Sequence, residues 1–250
     1  MLSEELLEYP IIDCHAHLLP DLDDGAAFWD DALIMARQAV QSGTQVMVMT
    51  PHFRQRRYDN HRKKILHQLD QFQYRLRKAA IPLTVLAGAE IAYDPAIPHL
   101  FDQGIVQSFA DLRTHLLIEL PFNDVPPEVD ELLDQLSHRQ ITAIIAHPER
   151  CRPVQQAPSL LLRWRTQGVL FQLNGESLTG QAGPEAQACA RQLLSMNLID
   201  LIGSDAHHPM KRSASLAAAR TDLLKHLPPA QVQAILYSNA AALLQITDPS

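Results

Sequence analysis

Cysteine is scarce in this chain. Its three residues in 250, Cys14, Cys151 and Cys189, are too few and too scattered for a disulfide framework or a thiolate zinc site. They read as reduced thiols of a cytosolic protein. Basic residues are also in deficit, 21 against 28 acidic, for a formal charge of −7. A general nucleic-acid binder would carry a basic face instead. No window approaches the length of an apolar membrane span. The first ten residues carry Glu4, Glu5 and Glu8 with no basic start and no apolar core, which excludes a signal peptide. These absences argue against nucleic acid and membrane insertion and for a cytoplasmic location. No linker-like or low-complexity break divides residues 1–250, and 46% hydrophobic residues suffice for one sizeable core. One residue type is in excess: there are twelve histidines.

Apolar runs alternate with helical patterns. Strands are predicted at 11–14, 45–49, 83–87, 115–120, 141–146, 169–173 and 198–202. Helices are predicted at 28–42, at 60–79 with Asn60 as cap, at 126–139 opened by Pro126-Pro127, at 159–166 and at 184–196. Residues 214–244 read as two or three helices without a strand. Doubly buried strands alternating with helices predict a parallel sheet. Each strand ends in polar, ligand-type residues: His15 and His17, His52, Glu90, Glu119, His147, Asn174 and Glu176, and Asp205 with His207. An open sheet draws its site from a few strands at one switch point. A barrel brings every carboxyl end to one mouth. The expected fold is α/β, a distorted TIM-like (β/α) barrel of about seven parallel strands.

Five histidines (His15, His17, His52, His147, His207) and four carboxylates (Asp24, Glu90, Glu119, Asp205) should therefore meet at that mouth. Side-chain alternation puts His15 and His17 on one face, and Asp205 and His207 repeat the spacing. Singly, each is an ordinary strand terminus or turn former, Asp24 of Asp-Asp-Gly above all. Together they would desolvate and repel one another unless cations held them. Mixed nitrogen and oxygen ligands suit zinc, manganese or iron, and nine are too many for one ion. His61, His67, His138 and His226 fall on predicted helices, and His99 and His115 away from the strand ends; they read as surface or packing groups. His208, beside the site, stays open as a proton carrier. Arg150 follows His147 by three residues and Arg212 follows His207 by five, while Arg54, Arg56 and Arg57 read as loop charge. A guanidinium tethered beside a multinuclear metal site points to a phosphate, which arginine grips in bidentate fashion.

With these motifs in view, the chain resembles the PHP (polymerase and histidinol phosphatase) superfamily. Within it, the chain is most similar to the bacterial protein-tyrosine phosphatases that act with capsule and exopolysaccharide tyrosine kinases. The resemblance rests on Asp13-Cys14-His15-Ala16-His17, Asp23-Asp24-Gly25, Thr50-Pro51-His52, Gly88-Ala89-Glu90-Ile91, Ile118-Glu119, His147-Pro148-Glu149-Arg150 and Ser204-Asp205-Ala206-His207. It implies a single PHP-type barrel domain over 1–250 and two or three divalent cations, manganese foremost, with iron, cobalt or zinc as alternatives. His15, His17, Glu90 and Asp205 would hold the first cation. Glu90 would bridge to a second held by Glu119 and His147. Asp24, His52 and His207 would hold the third. Arg150 and Arg212 match the catalytic, phosphate-binding arginines. The implied substrate is a phosphotyrosine protein, itself a bacterial tyrosine kinase, hydrolysed by attack of a metal-bridging hydroxide. Two departures stand out: Phe53 where relatives often carry a second histidine, and His208-Pro209 in the loop leading to Arg212.

Three other readings remain. A PHP phosphatase for histidinol phosphate or another small ester would use the same residues. A deacylase or deaminase of the amidohydrolase type also opens on His-x-His, but needs a carbamylated lysine where this chain has Glu119. A binding module could keep the metals for stability alone, which leaves the arginines unexplained.

Overall fold

All seven apolar runs form strands, and two short strands extend them. The computed structural model describes residues 10–246, so Glu4, Glu5 and Glu8 of the acidic opening lie outside the described residues. The strands are β1 (Ile11–Ala16), β2 (Thr44–Met49), β3 (His52–Phe53), β4 (Thr84–Ala87), β5 (Glu90–Ala92), β6 (His115–Glu119), β7 (Thr142–Ala146), β8 (Leu170–Asn174) and β9 (Leu201–Gly203). Every strand pairing is parallel, in a three-stranded sheet ordered β1-β2-β4 and a six-stranded sheet ordered β3-β5-β6-β7-β8-β9. Pro51 separates β2 from β3; proline has no amide hydrogen to give a ladder. Only Gly88 and Ala89 separate β4 from β5. The chain thus runs through seven staves in sequence order.

The six-stranded sheet curls without fully closing. Its far edge meets β1 through a bridge between Ala16 and Ala206 at the carboxyl ends. There the His17 amide donates to the Ala206 carbonyl at 2.9 Å, and the Asp205 amide to that of His15 at 2.7 Å.

Helices cover the outside. The first are α1 (Trp29–Gln41), α2 (Arg62–Lys78), α3 (Ile97–Asp102) and α4 (Val129–Ser137). The next are α5 (Arg152–Gln156), α6 (Leu160–Arg165), α7 (Gly175–Thr179), α8 (Pro184–Ser195) and α9 (Ala217–His226). The buried residues of α2, namely Ile65, Leu69, Phe72 and Leu76, are those the helical spacing predicts. Together with Met47, Ile118, Ile145 and Phe171 they belong to the outer core, between strands and helices. A smaller inner core holds Ile12, Cys14, Val46, Val48, Leu117, Ile144 and Leu201. Tyr237, Ala240 and Leu244, from the helical stretch α10 (Pro229–Gln233), Ala234–Ser238 and α11 (Asn239–Leu244), pack into it. Among the described residues no helix is long and apolar enough to cross a membrane.

Local expectations shift in two places. Asn60 does not cap α2, which begins at Arg62 after His61. Its buried amide instead donates to the carbonyls of Leu22 at 2.7 Å and His52 at 2.8 Å, tying two loops together. Pro126-Pro127 stands ahead of α4, where the Pro126 carbonyl accepts the Val129 amide at 3.1 Å.

Strict alternation along β1 would put His15 on the opposite side from Ile12 and Cys14. The register with β2 slips by one residue between Asp13 and Ala16. This bulge lets the apolar start of β1 fill the inner core while His15 and His17 turn into the same interior. The neighbouring β9 must be bare to admit them. A Cβ on Gly203 would lie 2.4 Å from the His15 Cβ and 2.8 Å from the Gln172 Nε2. Gly203→Ala should therefore displace His15 and destabilise the protein by about 1–3 kcal/mol, the usual cost of overpacking. Urea denaturation would read this as a lower midpoint at an unchanged m-value.

Candidate metal centre

Eight of the nine expected ligands stand at strand termini of the mouth. His15 lies within β1 and His17 just beyond it, His52 opens β3, and Glu90 opens β5. Glu119 ends β6, His147 follows β7 directly, and Asp205 and His207 follow β9. The backbone aims two of them in an unforeseen way. His147 and Asp205 take left-handed conformations, with φ of 30° and 52°. Such residues are uncommon and cluster at functional sites. The equal facing of Asp205 and His207 is thus made by a turn, not by the strand alternation their spacing suggested.

Glu90 lies at the centre. Its Oε1 is 2.6 Å from His147 Nε2, and its Oε2 is 2.8 Å from His52 Nδ1, 3.3 Å from His15 Nε2 and 3.4 Å from His17 Nε2. Burial would raise the pKa of this carboxyl, but the His15, His52 and His147 rings outweigh burial and hold it well below the usual range. Glu90 Oε2 is nevertheless buried without a hydrogen bond.

Outer partners fix the two opening histidines. His15 Nδ1 lies 2.8 Å from Gln172 Oε1. The Gln172 amide nitrogen donates to the Leu173 carbonyl and to Asn174 Oδ1, so its oxygen must face His15. His17 Nδ1 lies 2.7 Å from Asp23 Oδ2. Each Nδ1 is therefore the donor, and each Nε2 presents a lone pair inward. The two Nε2 atoms are 3.0 Å apart. Two nitrogen lone pairs at that distance repel unless a cation lies between them. Burial alone would lower the His17 pKa, but Asp23 and Glu90 drive it well above the ordinary value. The position calls for positive charge, a proton or a metal.

Asp205 divides its oxygens. Oδ2 accepts from Arg150 Nη1 at 3.0 Å and Asn174 Nδ2 at 2.7 Å, and pairs with Arg212 Nη2. Oδ1 faces His17 Nε2 at 3.5 Å and His15 Nε2 at 3.7 Å. Burial raises its pKa, yet His15 and Arg212 hold it ionised. His207 donates from Nδ1 to the Asp205 carbonyl at 2.8 Å, leaving Nε2 free. Burial, then the charge at His17, lowers its pKa to about 3, so it is a neutral ring fit for ligation.

The donor set fits divalent cations. Among the described residues, four groups have ligand atoms within 4.8 Å of one another: His15, His17 and Glu90; His17, His52 and His207; His15, His147 and Asp205; and His52, Glu90 and Glu119. Asp24 belongs to none of these. Its side chain is 58% exposed, with Oδ1 3.5 Å from His52 Nε2 and 3.8 Å from His207 Nε2.

Arg150 and Arg212 line the mouth, a cavity of about 280 Å³, together with Arg54 and Arg57 but not Arg56. His208 does not line it; the residue is exposed, and its Nδ1 accepts the Met210 amide. Backbone hydrogen bonds between His208 and Arg212 close a tight turn that returns Arg212 to the mouth. The residues that sequence reasoning missed are the supports. Asp23 enters the sequence reading only within Asp23-Asp24-Gly25, yet its carboxylate orients His17. Gln172 sits two residues before Asn174, on the same strand face.

The model of a family described as "Capsular polysaccharide synthesis, CpsB/CapC" matches residues 11–245. Tyrosine-protein phosphatase YwqE of Bacillus subtilis is 34% identical over 235 residues, 94% of this chain and 92% of that protein. Putative tyrosine-protein phosphatase CapC of Staphylococcus aureus is 30% identical over 197 residues, 79% and 77% respectively. A crystal structure described with YwqE from Bacillus subtilis and CpsB from Streptococcus pneumoniae, as unique metal-dependent tyrosine phosphatases, matches with a TM-score of 0.89. It is 34% identical and covers 94% of both chains.

Removing an outer partner of a ligating histidine typically costs 10–100-fold in metal affinity. Asp23→Asn should weaken manganese binding by roughly that factor in calorimetric titration, with the fold retained by circular dichroism.

Proposed function

The chain belongs to the CpsB/CapC family of capsular polysaccharide synthesis proteins, and from that membership we propose that it is a metal-dependent protein-tyrosine phosphatase. Its substrate is a phosphotyrosine protein, a bacterial tyrosine kinase that regulates capsule or exopolysaccharide synthesis. It acts in the cytoplasm as one barrel domain. The observation that carries the reading is the buried Glu90 among four imidazoles, beside a mouth lined by Arg150 and Arg212.

We assign His15, His17, Glu90 and Asp205 as the residues that would hold one cation, and Glu119 and His147, together with Glu90, as those that would hold a second. Asp24, His52 and His207 would hold a third. Manganese is the leading candidate, ahead of iron, cobalt and zinc. When bound, such cations lower the pKa of a coordinated water toward neutrality and neutralise phosphoryl oxygens. The chain's own residues do the rest. Gln172 and Asp23 hold His15 and His17 with their Nε2 lone pairs inward. Arg150 and Arg212, paired with Asp205 in this structure, present guanidinium donors to the mouth and can grip the non-bridging phosphate oxygens. Asn174 keeps Asp205 Oδ2 engaged, so that Oδ1 stays turned inward. A tyrosine phenolate, with a parent pKa of about 10, leaves more readily than an alkoxide, so no strong general acid is required.

The metal-loaded protein should hydrolyse a phosphotyrosine peptide with higher kcat/KM than histidinol phosphate, and lose turnover on chelation. A preference for histidinol phosphate would point to the small-ester reading. Failure on p-nitrophenyl phosphate with manganese, cobalt, iron and zinc alike would leave the binding-module reading. Asp24→Ala should bind one cation fewer by elemental analysis and lose most turnover, with the fold retained by circular dichroism. Full metal content in that variant would return Asp24 to the role of a turn residue.

A further inference from the structure

The mouth is walled almost wholly by charged and ligand-type groups, yet two aromatic rings line it, Tyr58 and Phe122. The other apolar lining residue is Ala92. A lone exposed phenylalanine is ordinary on a protein surface. Phe122, 42% exposed, is one of a pair with matching surroundings. Tyr58 lies against His52, with ring centroids 5.6 Å apart, and the Arg57 guanidinium is 5.0 Å from its centroid. Phe122 lies near His147 at 6.0 Å, and the Arg150 guanidinium is 4.9 Å from its centroid. His52 and His147 in turn face opposite oxygens of Glu90. Each ring thus borders an imidazole that contacts Glu90, one at either carboxylate oxygen.

Both rings are held on tethered backbone. Tyr58 sits in a turn closed by reciprocal hydrogen bonds with Arg54, at 3.0 and 2.8 Å. The Phe122 carbonyl accepts the Arg152 amide at 2.7 Å, and the Cys151 thiol donates to the Pro121 carbonyl. Preformed apolar walls favour a flat partner, since ring pairs attract in offset or edge-to-face arrangements.

We propose that Tyr58 and Phe122 form a slot that receives the aromatic ring of the phosphate ester and so select aryl over alkyl phosphates. The proposal rests on the phosphatase reading above. Depth adds to the selection: His15, His17, Glu90, His147, Asp205 and His207 are buried, and an aryl ester carries its phosphate farther from its peptide backbone than the short side chain of phosphoserine can. A larger hollow of about 460 Å³ shares Phe122, Arg54 and Glu119 with the mouth. It leaves room for the substrate chain beyond the ring.

The test uses phenylphosphonate and methylphosphonate, which differ only in the ring, titrated calorimetrically into manganese-loaded protein. The unmodified protein should bind the phenyl compound more tightly. Tyr58→Ala and Phe122→Ala should each weaken phenylphosphonate by roughly three- to tenfold and leave methylphosphonate within about twofold. Tyr58→Phe and Phe122→Tyr should restore binding. In turnover of phosphotyrosine peptide, the alanine variants should raise KM more than they lower kcat. Parallel weakening of both phosphonates, or no weakening of either, would overturn the slot. Selective phosphonate binding without any turnover would overturn the phosphatase reading and leave the slot standing.

Discussion

A buried carboxylate has to be paid for by its neighbours, and most of this structure can be traced to the neighbours of Glu90. An unpaired ion in a protein interior carries a penalty of several kcal/mol. Four imidazoles from three other staves approach its two oxygens at 2.6–3.4 Å. Still, Oε2 lacks a hydrogen bond, and two lone pairs face each other at 3.0 Å. The cluster is a charge arrangement completed by cations.

The arrangement works only because each inner atom is aimed by an outer one. Gln172, Asp23 and Asn174 come from β8 and from the loop after β1, far apart in sequence from some of the groups they orient. The bridge between Ala16 and Ala206, where the curled sheet meets β1, brings these supports into register. The bulge in β1 and the bare face of Gly203 then make room for His15. Fold and site share these residues, so damage to this junction is damage to the centre.

Much of this was legible from residue patterns. The seven apolar runs predicted the staves, and the polar residue after each predicted which groups would meet, because a parallel barrel puts all carboxyl ends on one side. The subtler expectations fared unevenly. Asn60 looked like a helix cap and is an internal tie between loops. Asp205 and His207 converge through a left-handed turn where a strand was assumed. His208, beside a ligand in sequence, is exposed and does not line the mouth. Asp23 was visible only as part of the Asp23-Asp24-Gly25 motif, and Gln172, Tyr58 and Phe122 carried no signal of their own; glutamine in a strand or phenylalanine in a loop is too common to mark a site.

The sequence by itself determined the alternation of strand and helix, the parallel sheet and the identity of the chemistry-bearing side chains. Those follow from local periodicity and from residue type, which need no knowledge of distant neighbours. Only the tertiary structure decided which nitrogen of each histidine faces inward and which oxygen of Asp205 is engaged by arginine. It also set which aromatic rings border the mouth. These depend on pairwise distances between residues far apart in the chain, 157 positions for His15 and Gln172, and such distances exist only once the barrel has curled.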